Sequence, residues 1–192
     1  MLKIHSLACA LTLLSAVAAI PNNLQFRDGQ ESYQIIVPEN AANGFYTVTR
    51  NESGDWEHQL VEKVAPENVS SPQASSRAAG GPETLGKTSG YTCNSPVVWG
   101  DESYWATAVA FYGNKINANG GKWCFSWKAD YVVMENYVVF SCNYNNQLPV
   151  CKNVVEFDQD QTVLANNCRQ RAGWVSHPYT TVGRSLKGLP IC

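Results

Sequence analysis

Apolar side chains recur at three- to four-residue intervals over 104–117, at Trp105, Ala108, Val109, Tyr112 and Ile116, which places them on one face of a helix. Ser103 or Asp101 stands where an N-cap belongs, and Gly120-Gly121 ends the run. β-rich runs follow at 122–128, 131–134 and 137–142, with Glu135-Asn136 either turning between the last two or bending one long strand. A second helix is predicted from Asn153 to about Asn167. Glu156 stands three residues after Asn153 as in a capping box, and Val154, Phe157, Leu164 and Cys168 form one stripe. Strands are predicted at 172–176 and, ahead of the first helix, at 97–99. Strand, helix, strands, helix, strand is the order of an α+β fold, an α/β sandwich with two helices packed on one face of an antiparallel sheet.

Ahead of this domain the pattern changes twice. Lys3 followed by the apolar run 7–17 and the small residues Ala16-Val17-Ala18 reads as a signal peptide over 1–19. The run is too short to cross a bilayer, which takes about 20 apolar residues, and no later run approaches that length. Residues 20–64 carry one pairing signal: 45–49 and 56–61 suit strands, and Asn51-Glu52-Ser53-Gly54-Asp55 between them is rich in turn formers. A lone hairpin is marginal in water, so this segment is read as a pro-segment or accessory arm. Residues 65–92 hold prolines, serines and Gly80-Gly81 with almost nothing large and apolar, which is the composition of a disordered linker. The folded domain is then 93–192.

Cysteine adds the compartment. Cys93, Cys124, Cys142, Cys151, Cys168 and Cys192 all lie in that domain, and an even set behind an export signal reads as a disulfide framework in a secreted, extracellular protein. Their pairing stays open, because six cysteines allow many connectivities. No C-x-x-C pair occurs and the domain has one histidine, so neither a metal nor a cofactor is expected. Sequons at Asn51 and Asn68 fall in the turn and the linker, where a glycan could be attached.

The net charge of -2 offers no basic field for nucleic acid, and the imbalance sits ahead of the domain. Residues 20–92 carry nine acidic and five basic side chains, whereas 93–192 carry seven and eight. His177 is the one general-base candidate in the domain. A ribonuclease-like site would set it beside Glu135 or Glu156, with Arg171 or Arg184 on the phosphate; paired-carboxylate chemistry would draw on Asp101, Asp130 or Glu135. No G-x-S-x-G elbow is present. Aromatic residues are abundant, and Trp105 with Trp123 or Trp127 at inward periodicity reads as core. Tyr144 and Tyr179 are the two placed for an exposed binding surface.

The cysteine-bounded order resembles secreted fungal cysteine-rich effector-like proteins with a killer-toxin-like α/β-sandwich domain. Gly-Gly-Lys-Trp-Cys at 120–124, Tyr-Val-Val-Phe-Ser-Cys-Asn-Tyr at 137–144 and the helix bounded by Cys151 and Cys168 carry the resemblance, with Ala-Gly-Trp-Val at 172–175 and Gly-Leu-Pro-Ile-Cys at 188–192. It covers about half the chain and marks architecture, not an active site. It implies a monomeric effector or toxin that acts on a host or competitor protein or glycan by binding, without catalysis. A small secreted hydrolase and a cell-wall-binding module are the alternatives.

Overall fold

The computed structural model describes residues 34–65, 90–93, 102–145 and 147–192, with Glu102 described by its backbone alone. These residues belong to one compact unit, Glu31–Cys192. The signal segment 1–19, the linker residues 66–89, the strand expected at 97–99, Asp101 and the sequon at Asn68 lie outside the described residues.

Two helices pack on one face of a seven-stranded antiparallel sheet. The strands are β1 (Gly44–Arg50), β2 (Trp56–Lys63), β3 (Gly90–Cys93), β5 (Ala129–Met134), β6 (Tyr137–Asn143), β8 (Gly173–Ser176) and β9 (Thr180–Leu186). Their order across the sheet is β2-β1-β5-β6-β9-β8-β3. A separate two-stranded ribbon pairs β4 (Lys122–Phe125) with β7 (Val150–Asn153), and β7 runs directly into the second helix.

The helices form where the apolar spacing placed them. In α1 (Glu102–Ala118), Trp105, Ala108, Tyr112 and Ile116 are buried against the sheet, while Ser103 falls inside the helix and does not cap it. In α2 (Val154–Cys168) Asn153 is the N-cap. Its side chain accepts from the Glu156 N–H at 2.8 Å, and Glu156 reaches back to complete the capping box. Phe157 lies parallel to Tyr112 with ring centroids 4.8 Å apart, joining the two helices over Phe45, Val132, Val139 and Val182 of the sheet. Burying each such large side chain contributes roughly 1.5–3 kcal/mol.

The opposite face of the sheet is covered without a helix. Ile35 and Val37 from one end of the described chain meet Ile191 and Cys192 from the other. The Ile191 N–H donates to the Ile35 carbonyl at 2.9 Å and the Gly188 N–H to that of Val37 at 2.8 Å. This strap closes over Tyr46, Tyr131, Val138 and Phe140. Gly183 in β9 is required by the packing, since a Cβ there would drive into the Phe140 ring and the Gly173 carbonyl.

Three disulfides cross-tie these layers. Cys93–Cys168 joins β3 to the end of α2, Cys124–Cys151 joins β4 to β7, and Cys142–Cys192 joins β6 to the strap. Bridges of this kind typically stabilise a small fold by about 2–4 kcal/mol each.

Several boundaries differ from the sequence expectation. The hairpin over 45–49 and 56–61 forms, but as part of the sheet and not of an arm: β1 is hydrogen-bonded on both sides, to β2 and β5, and Phe45 and Val48 are fully buried. Backbone pairing brings it in with no cysteine to mark it. The last linker residues, 90–92, pair with β8 as an exposed edge strand whose polar side chains give no alternating pattern. The run 122–128 splits, its first half pairing with β7 and its second turning back toward β5.

Candidate functional site

Two buried polar clusters lie between the sheet, the helices and the ribbon. The first is centred on Asp130, which is 0% exposed on the helix face of β5. Trp123 from β4 donates its indole N–H to Oδ2 at 2.7 Å, and the Tyr112 hydroxyl from α1 donates to Oδ1. The Trp127 indole faces the same carboxylate without reaching hydrogen-bond geometry. No cation is among these partners. Burial therefore dominates and pushes the Asp130 carboxyl up to about 7, although the hydrogen bonds from Tyr112 and Trp123 pull the other way. The Tyr112 hydroxyl moves well above its ordinary value, first through burial and then through the Asp130 charge.

The second cluster is centred on Asp160, which is 1% exposed on α2. His177, in the turn between β8 and β9, places Nε2 3.0 Å from Oδ1 and 2.8 Å from Oδ2. Lys152 of β7 is 2% exposed and brings Nζ to 3.4 Å from Oδ2. Burial lowers the Lys152 ammonium, and the neighbouring Asp160 charge opposes that shift. Because Cys151 and Lys152 are consecutive in a strand, the cysteine faces outward while the lysine turns in. The ribbon thus carries both a disulfide and the cation of this cluster.

The sequence candidates fall as follows. His177 does meet a carboxylate, but it is Asp160. Glu135 sits at positive φ in the exposed β5–β6 turn, held by Asn43, and Glu156 is occupied by the capping box. Arg184 is buried over the Trp105 ring and donates to the Gln161 carbonyl at 3.0 Å, so it is not presented to a phosphate. Arg171 lies between α2 and the start of β8, whereas His177 follows the other end of that strand. Asp130 has Tyr112 and Trp123 as partners, so the structure does not pair it with a second carboxylate for glycosidase chemistry. Asn51 is exposed in the β1–β2 turn, where its side-chain Oδ1 accepts from the Asp55 N–H at 2.8 Å.

Tyr179 is 59% exposed, whereas Tyr144 is half-buried, its hydroxyl engaged with Thr181. The Tyr144 N–H donates to the Tyr179 carbonyl at 2.9 Å, so the loop after β6 and the β8–β9 turn are joined. Leu148 in that loop and Val155 in the first turn of α2 are 64% and 54% exposed. Asp160 and Lys152 went unread in the sequence. A signal existed: Asp160 and Gln161 stand on the stripe that runs from Phe157 to Leu164, where an apolar residue would ordinarily be buried.

No family model, curated protein or solved structure matches this chain. Among the described residues no group of three or more His, Cys, Asp and Glu could hold a metal ion, and no helix is long and apolar enough to cross a membrane.

Proposed function

We propose that this protein is secreted and acts outside the cell as an effector-like or toxin-like binding protein, recognising a host or competitor target without catalysis. The observation that carries this reading is the junction of the loop after β6 with the β8–β9 turn, joined by the Tyr144–Tyr179 hydrogen bond. Tyr179 and Leu148 are exposed on these two segments, and the contact of His177 with Asp160 ties the turn to α2. Tyrosine is among the residue types in which protein-binding hot spots are enriched, and Tyr179 is 59% exposed. Three disulfides fit an oxidising compartment. The resemblance of the cysteine-bounded order in the sequence to killer-toxin-like proteins also supports the reading.

One observation favours a second reading, a small secreted hydrolase. His177 is oriented by a carboxylate through Nε2, and among the described residues Nδ1 has no hydrogen-bond partner. An imidazole so held is suited to act as a general base.

The test uses labelled oxidised protein on intact eukaryotic cells, on chitin and glucan, and on RNA. The binding reading expects cell association that falls about tenfold in Tyr179→Ala, as for loss of a hot-spot side chain. It also expects no RNA cleavage above that of His177→Ala. Cleavage lost in His177→Ala would establish the hydrolase instead, and retention on chitin or glucan would make the protein a wall-binding module.

A further inference from the structure

The three disulfides differ in what surrounds them. Cys142 lies beneath the strap and Cys192 within it, both buried, and Cys168 is buried with Cys93 half-covered against it. Cys124 and Cys151 are both exposed. They are directly opposed partners in the β4–β7 ribbon, whose strands are four residues each and pair with no strand of the large sheet. This bridge also closes the shortest stretch of chain, 27 residues against 50 and 75. The shortest closed loop restrains the unfolded chain least, so its bridge is expected to contribute the least stability of the three. An external thiolate can therefore reach this bridge while the other two remain covered by native packing.

The next residue gives the bond a consequence. Lys152 follows Cys151 and points inward, where it has been taken out of water beside Asp160. A buried ammonium stays in place only while the strand that carries it is held down. Pairing across β4–β7 consists of four residues per strand together with the disulfide, and short two-stranded ribbons are marginal by themselves.

We propose that Cys124–Cys151 is a site of thiol–disulfide exchange with an extracellular dithiol reductant, and that its reduction frees the ribbon and releases Lys152 from Asp160 while the sheet stays folded. One thiolate of the dithiol attacks either sulfur to give a mixed disulfide and a free protein thiol. The second thiolate then displaces the other protein sulfur. Two protein thiols form, and the reductant leaves as its disulfide. Asp160 then keeps His177 as its partner, so the segments that display Tyr179, Leu148 and Val155 lose one of their ties. The exchange itself does not depend on the binding role proposed above.

The test is graded reduction of the native protein with dithiothreitol, trapping of thiols by alkylation, and mass mapping. Lysine acylation is followed in parallel. The first reduced species is expected to carry alkyl groups at Cys124 and Cys151 only, to keep the circular dichroism of the sheet, and to acylate Lys152 about tenfold faster than the oxidised protein, as expected when local closure is lost. Exposed Lys122 serves as the control, with no change in its rate. Cys124→Ser/Cys151→Ser, acylated in the same way, reproduces the fast Lys152 if it folds; the graded reduction needs no variant. Alkylation of any other cysteine at the same stage overturns the proposal. So does an unchanged Lys152 rate, or loss of the sheet signal with the first bridge.

Discussion

Asp130 and Asp160 are both buried carboxylates on the same side of the sheet, and they solve the problem of burial in different ways. Asp160 is given charge partners, Lys152 and His177, from two other elements. Asp130 is given only neutral donors, the Tyr112 hydroxyl and the Trp123 indole. A cation beside a buried carboxylate favours ionisation, while neutral donors offset only part of the cost of leaving water. Hence Asp130 holds its proton up to about pH 7. The same residue type lies beside a lysine and a histidine in one place and among neutral donors, with its carboxyl pushed up to about 7, in the other. Partners, not depth, make the difference.

The same substitution at the two sites is therefore expected to have opposite consequences. Asp160→Asn removes the counter-charge from a lysine that remains buried, which typically costs about 3–5 kcal/mol. Urea unfolding at pH 7 measures it. Asp130→Asn removes a charge that had no cation, and its amide can still accept from Trp123 and donate to the Tyr112 oxygen. At pH 8 it is expected to be neutral or stabilising. Equal losses in both variants would abolish the distinction between the clusters.

The pH dependence tests the Asp130 side directly. Its folded value, about 7, lies above the ordinary 3.8. The stabilisation is therefore complete below about pH 4 and is lost as pH rises toward 7. At about 1.4 kcal/mol per unit, the loss is on the order of 4 kcal/mol. His58, lowered by burial, works oppositely by losing stability as pH falls below its ordinary 6.5. The readout is accordingly the difference between wild type and Asp130→Asn in unfolding free energy from pH 4 to 8. A flat difference would mean that Asp130 is ionised throughout.

Lys152→Met then asks how far His177 alone can serve Asp160. Methionine approximates the lysine stem, and the two short contacts from His177 Nε2 remain. The expected cost is about 1–3 kcal/mol, below that of Asp160→Asn, because a partnered carboxylate is left and not an orphaned ion. Thermal denaturation of the two variants side by side checks the order. A Lys152→Met loss as large as that of Asp160→Asn would show that His177 contributes little to holding the carboxylate.

The contrast also explains what could be read in the sequence. The helices were legible because their signals are local. Asn153 and Glu156 cap α2 with residues three apart, and the Trp105–Ile116 stripe lies on one helix face. β9 was not, because Thr-Thr-Val-Gly-Arg-Ser-Leu shows little apolar alternation; its burial comes from strands on both sides and from α2 above. β1 was legible as a strand, but its place beside β5 was not, since pairing over more than eighty residues leaves no mark in composition. His177 stood out as the lone histidine of the domain. Its partner did not, because Asp160 becomes special only when β7 and the β8–β9 turn converge on α2.

Asn153 connects the two kinds of information, and it supplies the smallest expected loss of stability. As N-cap it accepts from the Glu156 N–H and fixes where α2 begins, and so which turn of the helix presents Asp160 to Lys152 and His177. Asn153→Ala removes that acceptor and is expected to cost about 1 kcal/mol, with a corresponding fall in midpoint temperature. Coupling to the Asp160 cluster can be read from the double variant with Lys152→Met. Fraying of the first turn alone gives additive losses. Non-additivity beyond about 0.5 kcal/mol would mean that the cap also holds the carboxylate in register with its cation.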